Sequence, residues 1–301
     1  MKIAAVTGAN GFVGGAVLRE LVSEGYFVYA FVHNKTDNIP NVPNIKIINF
    51  SLNDITSVKE MMDDCQLFFH FAWEGSAGPL RADTNLQLRN VQWTVEALRY
   101  AKKIGCERFI GAGSIVEYET FFATQKSQNR PGTGYIYGSG KSAAHTMAKA
   151  VAADIGIDFV WGQITNAYGP GEISPRLVNT SIRKIINGEN PRFSSGTQNY
   201  DFIYIDDLAR GFRMIGEKGI PFSEYILGSS NAKPLRDFLM DMKESIADDV
   251  DFIFGDVPFT GVDLPLSYFS CDSTEKDTGF KAQIDFKEGI RRTRDWILKQ
   301  R

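Results

Sequence analysis

The chain has 301 residues, 43% of them hydrophobic and 23% charged, with a formal net charge of −3. That is globular composition, sufficient for one large domain or two unequal ones, and it excludes a disordered or fibrous chain. The near balance of charge offers nothing to attract nucleic acid or an anionic membrane, so neither is expected as a partner.

The apolar run Ile3 to Val6 ends in a glycine turn and reads as a buried strand. It is too short for a signal peptide or a membrane helix, and no longer apolar run follows. From Gly14 to Glu24, the residues Val17, Leu18, Leu21 and Val22 share one helical face, and Gly25 suits a C-terminal cap. Strands follow over Tyr26–Val32, Ile45–Phe50 and Leu67–Phe71. Thr84–Ile104 reads as a long helix and Arg108–Gly111 as a strand. The polar stretch Glu119–Gly134 is expected to be a surface loop and a candidate lid. A second long helix over Tyr137–Ile155 and a strand over Phe159–Ile164 continue the alternation. Strands alternating with helices imply parallel βαβ crossovers, hence an α/β Rossmann fold with a doubly wound parallel sheet.

The pattern changes after Asn166. YGPGE breaks it, and a helix is expected over Leu177–Asn187, then the polar loop SSGTQNY. Phe202–Ile205 reads as a returning core strand, with Asp206 and Asp207 as caps for the next helix. The chain closes on a helix over Phe286–Lys299. This divides it into a cofactor domain over 1–165, with a core strand returning at about 200–228. A smaller, mostly C-terminal substrate-binding lobe takes 166–200 and 229–301. The cysteines Cys65, Cys106 and Cys271 are scattered and form no CxxC, which suits a reducing cytoplasm. The histidines His33, His70 and His145 are isolated, so no metal site is expected.

TGANGFVGG, Thr7 to Gly15, places Gly8, Gly11 and Gly14 between the first strand and the first helix. In that context Gly8 permits the tight turn, Gly11 lets the backbone approach a pyrophosphate and Gly14 lets the helix pack close to the sheet. The helix start then presents unpaired N–H groups to phosphates, which makes Asn10, Phe12 and Val13 candidate cofactor contacts too. An NAD site usually has an acid at the end of the second strand. Here His33, Asn34 and Lys35 stand there, so NADP(H) is favoured, with NAD(H) the alternative. Tyr137 and Lys141 have the spacing Y-x-x-x-K at a helix start and share a face one turn apart. A nearby ammonium favours the phenolate, so such a pair can pass a proton to or from a carbonyl or alcohol oxygen. Ser114 ends the strand-like FIGAGS, at the edge of the sheet where such folds bind ligand, and can hydrogen-bond the same oxygen.

The motifs TGANGFVG, HFAW (His70 to Trp73), Asn90, GAGSIVEY, YGSGK, NAYGPG and YDFIYIDDLA occur in one order along nearly the whole chain. In this the chain resembles the extended short-chain dehydrogenases: nucleotide-sugar epimerases, dehydratases and 4-keto reductases. The resemblance implies a catalytic triad of Ser114, Tyr137 and Lys141, with Lys141 also holding the nicotinamide ribose. It implies that Ser51, Leu52, Phe71, Ala72, Trp73, Asn90 and Ile164 belong to the cofactor site. Val116, Asn166, Arg176 and Tyr200, with Ser114, would face a nucleotide-sugar substrate, and a homodimer is implied through the helices around 90–104 and 140–154. Departures matter as well. Family dehydratases carry Asp-Glu after the serine or threonine, where this chain has Ile115-Val116. The family's adenine-contacting Asp aligns with Ser51, and its two diphosphate arginines fall at Tyr200 and near Thr260. Arg176, Lys184 and Arg192 are the candidate substitutes, while Glu117 and Glu119 read as solvent-facing, with Glu117 in reach of a substrate hydroxyl. The expected activity is reduction of a 4-keto nucleotide-linked 6-deoxyhexose by NADPH. The alternatives are a 4-epimerase with tightly bound NAD and a cofactor-sensing regulator without turnover.

Overall fold

The apolar runs up to Ile164 become six strands of a seven-stranded parallel sheet in a computed structural model that describes residues 2–33, 36, 39–58, 65–126 and 131–300. Strand β1 (Ile3–Thr7) leads through helix α1 (Phe12–Ser23) to β2 (Phe27–Val32) and β3 (Ile45–Asn49). The chain then crosses back to β4 (Leu67–His70), α2 (Thr84–Lys103), β5 (Arg108–Ser114) and the short helix α3 (Val116–Phe121). Helix α4 (Ile136–Ile155) and β6 (Asp158–Ile164) follow. The lateral order β3-β2-β1-β4-β5-β6 reverses direction between β1 and β4, where a doubly wound sheet opens a crevice at its carboxyl edge.

Both faces are covered, as a parallel sheet requires. On one face α1 supplies Val17, Leu18 and Leu21 to a core shared with the later helices. On the other, α4 presents Ala144, Ala148 and Ala152, all fully buried, so its backbone lies close to Phe109 and Phe159 of the sheet. Gly25, with φ +81°, ends α1 as expected, its N–H bonding to the Val22 carbonyl.

Beyond β6 two expectations change. The seventh core strand is β11 (Glu224–Leu227), not the run at Phe202. The chain bends after Ile164, so β7 (Asn166–Tyr168) leaves the sheet and pairs instead with β10 (Phe202–Tyr204). Between them lie α5 (Leu177–Ile186) and the two-residue strands β8 (Arg192–Phe193) and β9 (Asn199–Tyr200). Asp206 and Asp207 do not precede the next helix but sit inside the first turn of α6 (Ile205–Lys218). The buried Asp207 accepts the backbone N–H groups of Gln283 (2.9 Å) and Ile284 (2.7 Å), tying the C-terminal lobe to α6. The lobe is completed by β12 (Lys233–Pro234), α7 (Leu235–Ile246), β13 (Ile253–Phe254), α8 (Asp272–Thr278) and α9 (Phe286–Lys299). Phe238, Phe286 and Ile290 of these helices join the same core as α1.

The expected loop Glu119–Gly134 is largely helical in its described part, because α3 runs into a further turn over Phe122–Lys126 and buries Thr120 and Ala123. Cys65 and Cys106, far apart in the chain, meet with their sulfurs 3.1 Å apart beneath the second core. Among the described residues, no helix is long and apolar enough to cross a membrane, and no group of three potential metal ligands occurs.

Candidate active site

The turn from β1 into α1 is built on contacts that exclude side chains. Gly8 has φ +68°, and a Cβ there would stand 2.8 Å from the Ala72 nitrogen. A Cβ on Gly14 would stand 2.2 Å from the Gly8 carbonyl oxygen, so α1 can approach the turn only as glycine. Helix α1 begins at Gly11 with no side-chain cap and no acid in its first turn. Its first N–H groups thus have no side-chain acceptor where Phe12, Val13 and Gly14 line the crevice, an arrangement that suits an anion.

Thr7 locks the next wall. Its Oγ1 accepts the N–H groups of Phe71 (3.2 Å) and Ala72 (3.3 Å) and lies 2.9 Å from His70 Nδ1. With two donors already on that oxygen, the hydroxyl proton goes to Nδ1, so the neutral His70 ring carries its proton on Nε2, 3.4 Å from Thr94. Burial and then the Lys141 charge push His70 down to about 3, in accord with a neutral ring.

A cleft of about 540 Å³ opens along these carboxyl ends. It is lined by Gly8, Asn10, Gly11, Phe12, Val13 and Gly14, by His33 after β2, by Ser51 and Leu52 after β3, and by Phe71, Ala72 and Trp73 after β4. Ser114, Tyr137, Lys141, Ile164 and Arg176 complete the expected residues along it. A second cavity of about 280 Å³ adjoins it through Ser114, Tyr137 and Arg176 and adds Val116, Asn166 and Tyr200. The long glycine-lined cleft with a phosphate-ready helix start fits an extended dinucleotide, and the second cavity fits its reaction partner.

The three expected catalytic groups converge. Tyr137 is buried, and its phenol is in hydrogen-bonding reach of the Ser114 hydroxyl. One turn on, the Lys141 amine donates to the Ala112 carbonyl at 2.8 Å and lies 3.6 Å above the Trp73 ring. Burial pushes that amine down to about 7, opposed by Glu117. Burial raises the Tyr137 phenol, opposed first by Arg81 and then by Arg176. The cations acting on the phenol are thus two arginines, whereas the sequence points to Lys141 for that part. The Trp73 indole is fixed by its N–H donating to Gln87 at 2.9 Å and by an edge contact with the Tyr137 ring.

Other residues are placed differently from expectation. Asn90 does not line the cleft: its amide bonds the N–H and the carbonyl of Glu74, both at 2.9 Å, holding the loop that lines it. Asn34 and Lys35 lie outside the described residues. Glu117 is not solvent-facing but 5% exposed. Its carboxylate accepts from Ser114 N–H (3.0 Å) and Trp161 Nε1 (3.1 Å) and faces His145 Nδ1 at 3.3 Å. Those donors turn it away from the substrate cavity and into the wall behind Ser114. Glu119 is half-buried, and burial pushes it up to about 7 against the pull of Arg81. Of the three candidate cations, Arg176 reaches the cleft, whereas Arg192 is paired to Asp256 at 2.6 Å and Lys184 lines neither cavity. Ile115 is buried with Leu264 and Phe269, and Val116 faces the second cavity, so the position after Ser114 is apolar.

Two residues in the cavity escaped the sequence reading. Arg81 lies in a short turn, Pro79–Ala82, with its guanidinium 4.4 Å from the centre of the Tyr137 ring. Glu172 is buried beside Arg176, 3.6 Å away, and accepts the Ser174 N–H. Glu172 follows YGPG directly and was legible there as an acid in a break, while nothing in the sequence around Arg81 marks it.

Residues 4–228 match the model of the NAD dependent epimerase/dehydratase family. The dTDP-glucose 4,6-dehydratase of Streptomyces antibioticus is 22% identical over 310 residues, 98% of this chain and 92% of that protein. The UDP-N-acetylglucosamine 4-epimerase of Methanobrevibacter ruminantium M1, solved with UDP-N-acetylmuramic acid, superimposes with TM-score 0.79 at 21% identity over 100% of this chain and 99% of its own. The Bordetella bronchiseptica enzyme WbmF, solved with NADH, gives TM-score 0.79 at 19% identity over 99% and 92%. At these identities the two structures establish the shared fold.

Proposed function

This chain belongs to the NAD dependent epimerase/dehydratase family, and from that membership we propose that it reduces the 4-keto group of a nucleotide-diphospho-6-deoxyhexose with NADPH. The observation that carries the reading is the site's proton inventory. A buried phenol, held above its ordinary value, lies beside Ser114 at the junction of the two cavities. The positions where a dehydratase needs an acid and a base are Ile115 and Val116. Proton donation to a carbonyl oxygen is served; elimination of water is not.

Gly8, Gly11, Gly14 and the start of α1 would hold a dinucleotide along the cleft, and it would supply the hydride. Tyr137 is neutral at pH 7 and donates its proton to the carbonyl oxygen as charge develops there. Ser114 orients that oxygen with its hydroxyl. Lys141, brought near neutrality by burial, can resupply the proton along the face it shares with Tyr137 and bond the ribose hydroxyls. The family's sugar-nucleotide substrates, of which the Streptomyces dehydratase's dTDP-glucose is one, support the substrate class. His33 in place of an acid at the end of β2 supports NADP(H).

A second reading is a 4-epimerase with retained NAD. It is favoured by the likeness to the Methanobrevibacter 4-epimerase over nearly all of both chains, and the same phenol and hydroxyl serve it. The experiment is a screen of NADPH oxidation against 4-keto nucleotide sugars, run alongside identification of any dinucleotide that copurifies. Equal consumption of NADPH and keto sugar supports the reductase. Copurifying NAD with sugar interconversion and no net redox refutes it for the epimerase, and tight dinucleotide binding without turnover leaves the sensing role. We also propose a homodimer through α2 and α4, whose Leu88 (61% exposed) and Met147 (53%) are bare in the monomer. A monomeric mass in light scattering refutes that pairing.

A further inference from the structure

We infer that Arg81 is a positioning residue for Tyr137: its guanidinium, laid on the phenol ring, holds that ring in place and favours the phenolate at the moment the proton leaves. The inference rests on the reading that Tyr137 is the proton donor. The guanidinium carbon lies 4.4 Å from the ring centroid, within cation–π range. The ring has a second fixed neighbour, because Trp73 meets it edge-to-face with centroids 6.0 Å apart and is itself held by Gln87. Arg81 and Trp73 thus both contact the phenol ring. Among the described residues no carboxylate lies within the 4.0 Å of an ion pair with Arg81, so its charge is not cancelled at contact distance.

The other groups facing Tyr137 do not replace it. Ser114 comes from β5 and bears on the phenol least of the groups around it. Arg176, ahead of α5, is shared with Glu172. Glu117 of α3 acts in the opposite direction, and Lys141, on α4 with Tyr137, donates to Ala112 and sits on Trp73. Glu119 also senses Arg81, and its burial favours its neutral form near pH 7, which leaves more of the guanidinium's field on the phenol.

The test uses Arg81→Gln and Arg81→Lys with tyrosines labelled with ¹³C at Cζ. The Tyr137 signal is assigned by its loss in Tyr137→Phe, and the titration is done on the dinucleotide-bound protein. In Arg81→Gln the Tyr137 midpoint should rise by about one pH unit, or move beyond the alkaline limit of folding, and Arg81→Lys should recover most of the shift. In turnover, kcat for Arg81→Gln at fixed pH should fall about tenfold with KM nearly unchanged. An unshifted midpoint in Arg81→Gln overturns the inference, as does a wild-type Tyr137 that never titrates below unfolding. A rise in KM with kcat and pH profile unchanged also overturns it, since Arg81 would then be a substrate contact. The titration needs no sugar, so absence of turnover would count against the proposed reaction and leave this inference to the Tyr137 signal.

Discussion

Replacing Glu117 by alanine should cost about 4 kcal/mol of stability and displace Ser114. The carboxylate is the partner of two buried donors, the Ser114 N–H at 3.0 Å and the Trp161 indole N–H at 3.1 Å. Glycine at 111 and 113 makes room for that indole across β5: a Cβ on either would stand 2.1 or 2.2 Å from the Trp161 ring. Alanine leaves both donors without an acceptor in a packed wall, at about 1–3 kcal/mol each. Glutamine keeps one oxygen for those donors and can turn its amide toward His145 Nδ1, so its cost should be about 1 kcal/mol. At roughly 2–4 °C per kcal/mol for a chain of this size, alanine should lower the melting temperature by about 10 °C and glutamine by about 3 °C. Calorimetry at neutral pH reads both, and turnover should fall further in alanine than in glutamine. If alanine melts with the wild type, or glutamine melts with alanine, the carboxylate is not the acceptor that holds this wall.

Three further outcomes are expected. Gly14→Ala forces a Cβ to 2.2 Å from the Gly8 carbonyl, so the turn must shift; stability should fall by about 1–3 kcal/mol, and dinucleotide affinity by at least about tenfold in calorimetric titration. His70 titrates near 3 in the folded chain against 6.5 unfolded, so the unfolded chain binds its proton first. The stability from its neutral ring is complete above pH 6.5 and lost as pH falls toward 3, and His70→Gln should flatten that stretch of the unfolding profile. Lys141 has the same sign over a different window: with a folded value near 7 against 10.5, stability should rise as pH climbs from 7 to 10.5, and Lys141→Met should remove the rise.

The parallel sheet was legible because its strands are short apolar runs and its helices carry one apolar face, such as Val17, Leu18 and Leu21. The meeting of Ser114, Tyr137 and Lys141 along one cleft was legible because a single spacing, Tyr137 to Lys141, places two groups on one helical face, and Ser114 ends a strand at the carboxyl edge. What the sequence could not carry is information about which way a side chain turns. Glu117 is two residues beyond the buried Ile115, yet two donors from β5 and β6, with the His145 ring of α4 beside them, draw it inward. Asn90 sits on the expected helix but spends its amide on Glu74, because the loop above it needs both a donor and an acceptor. Phe202 looked like a core strand because it is apolar, but the free edge of β6 is taken by Glu224–Leu227. Arg81 had no periodicity or motif to announce it, and only the folded turn sets it against Tyr137.

The most direct measurement is turnover and dinucleotide affinity in Tyr137→Phe, which removes one oxygen from a buried ring that lines the cleft with Ser114. The phenylalanine variant should lose about 10²–10⁴-fold in kcat while binding dinucleotide like the wild type. A kcat close to the wild-type value with binding intact would contradict proton transfer by this phenol, and with it the assignment of the site.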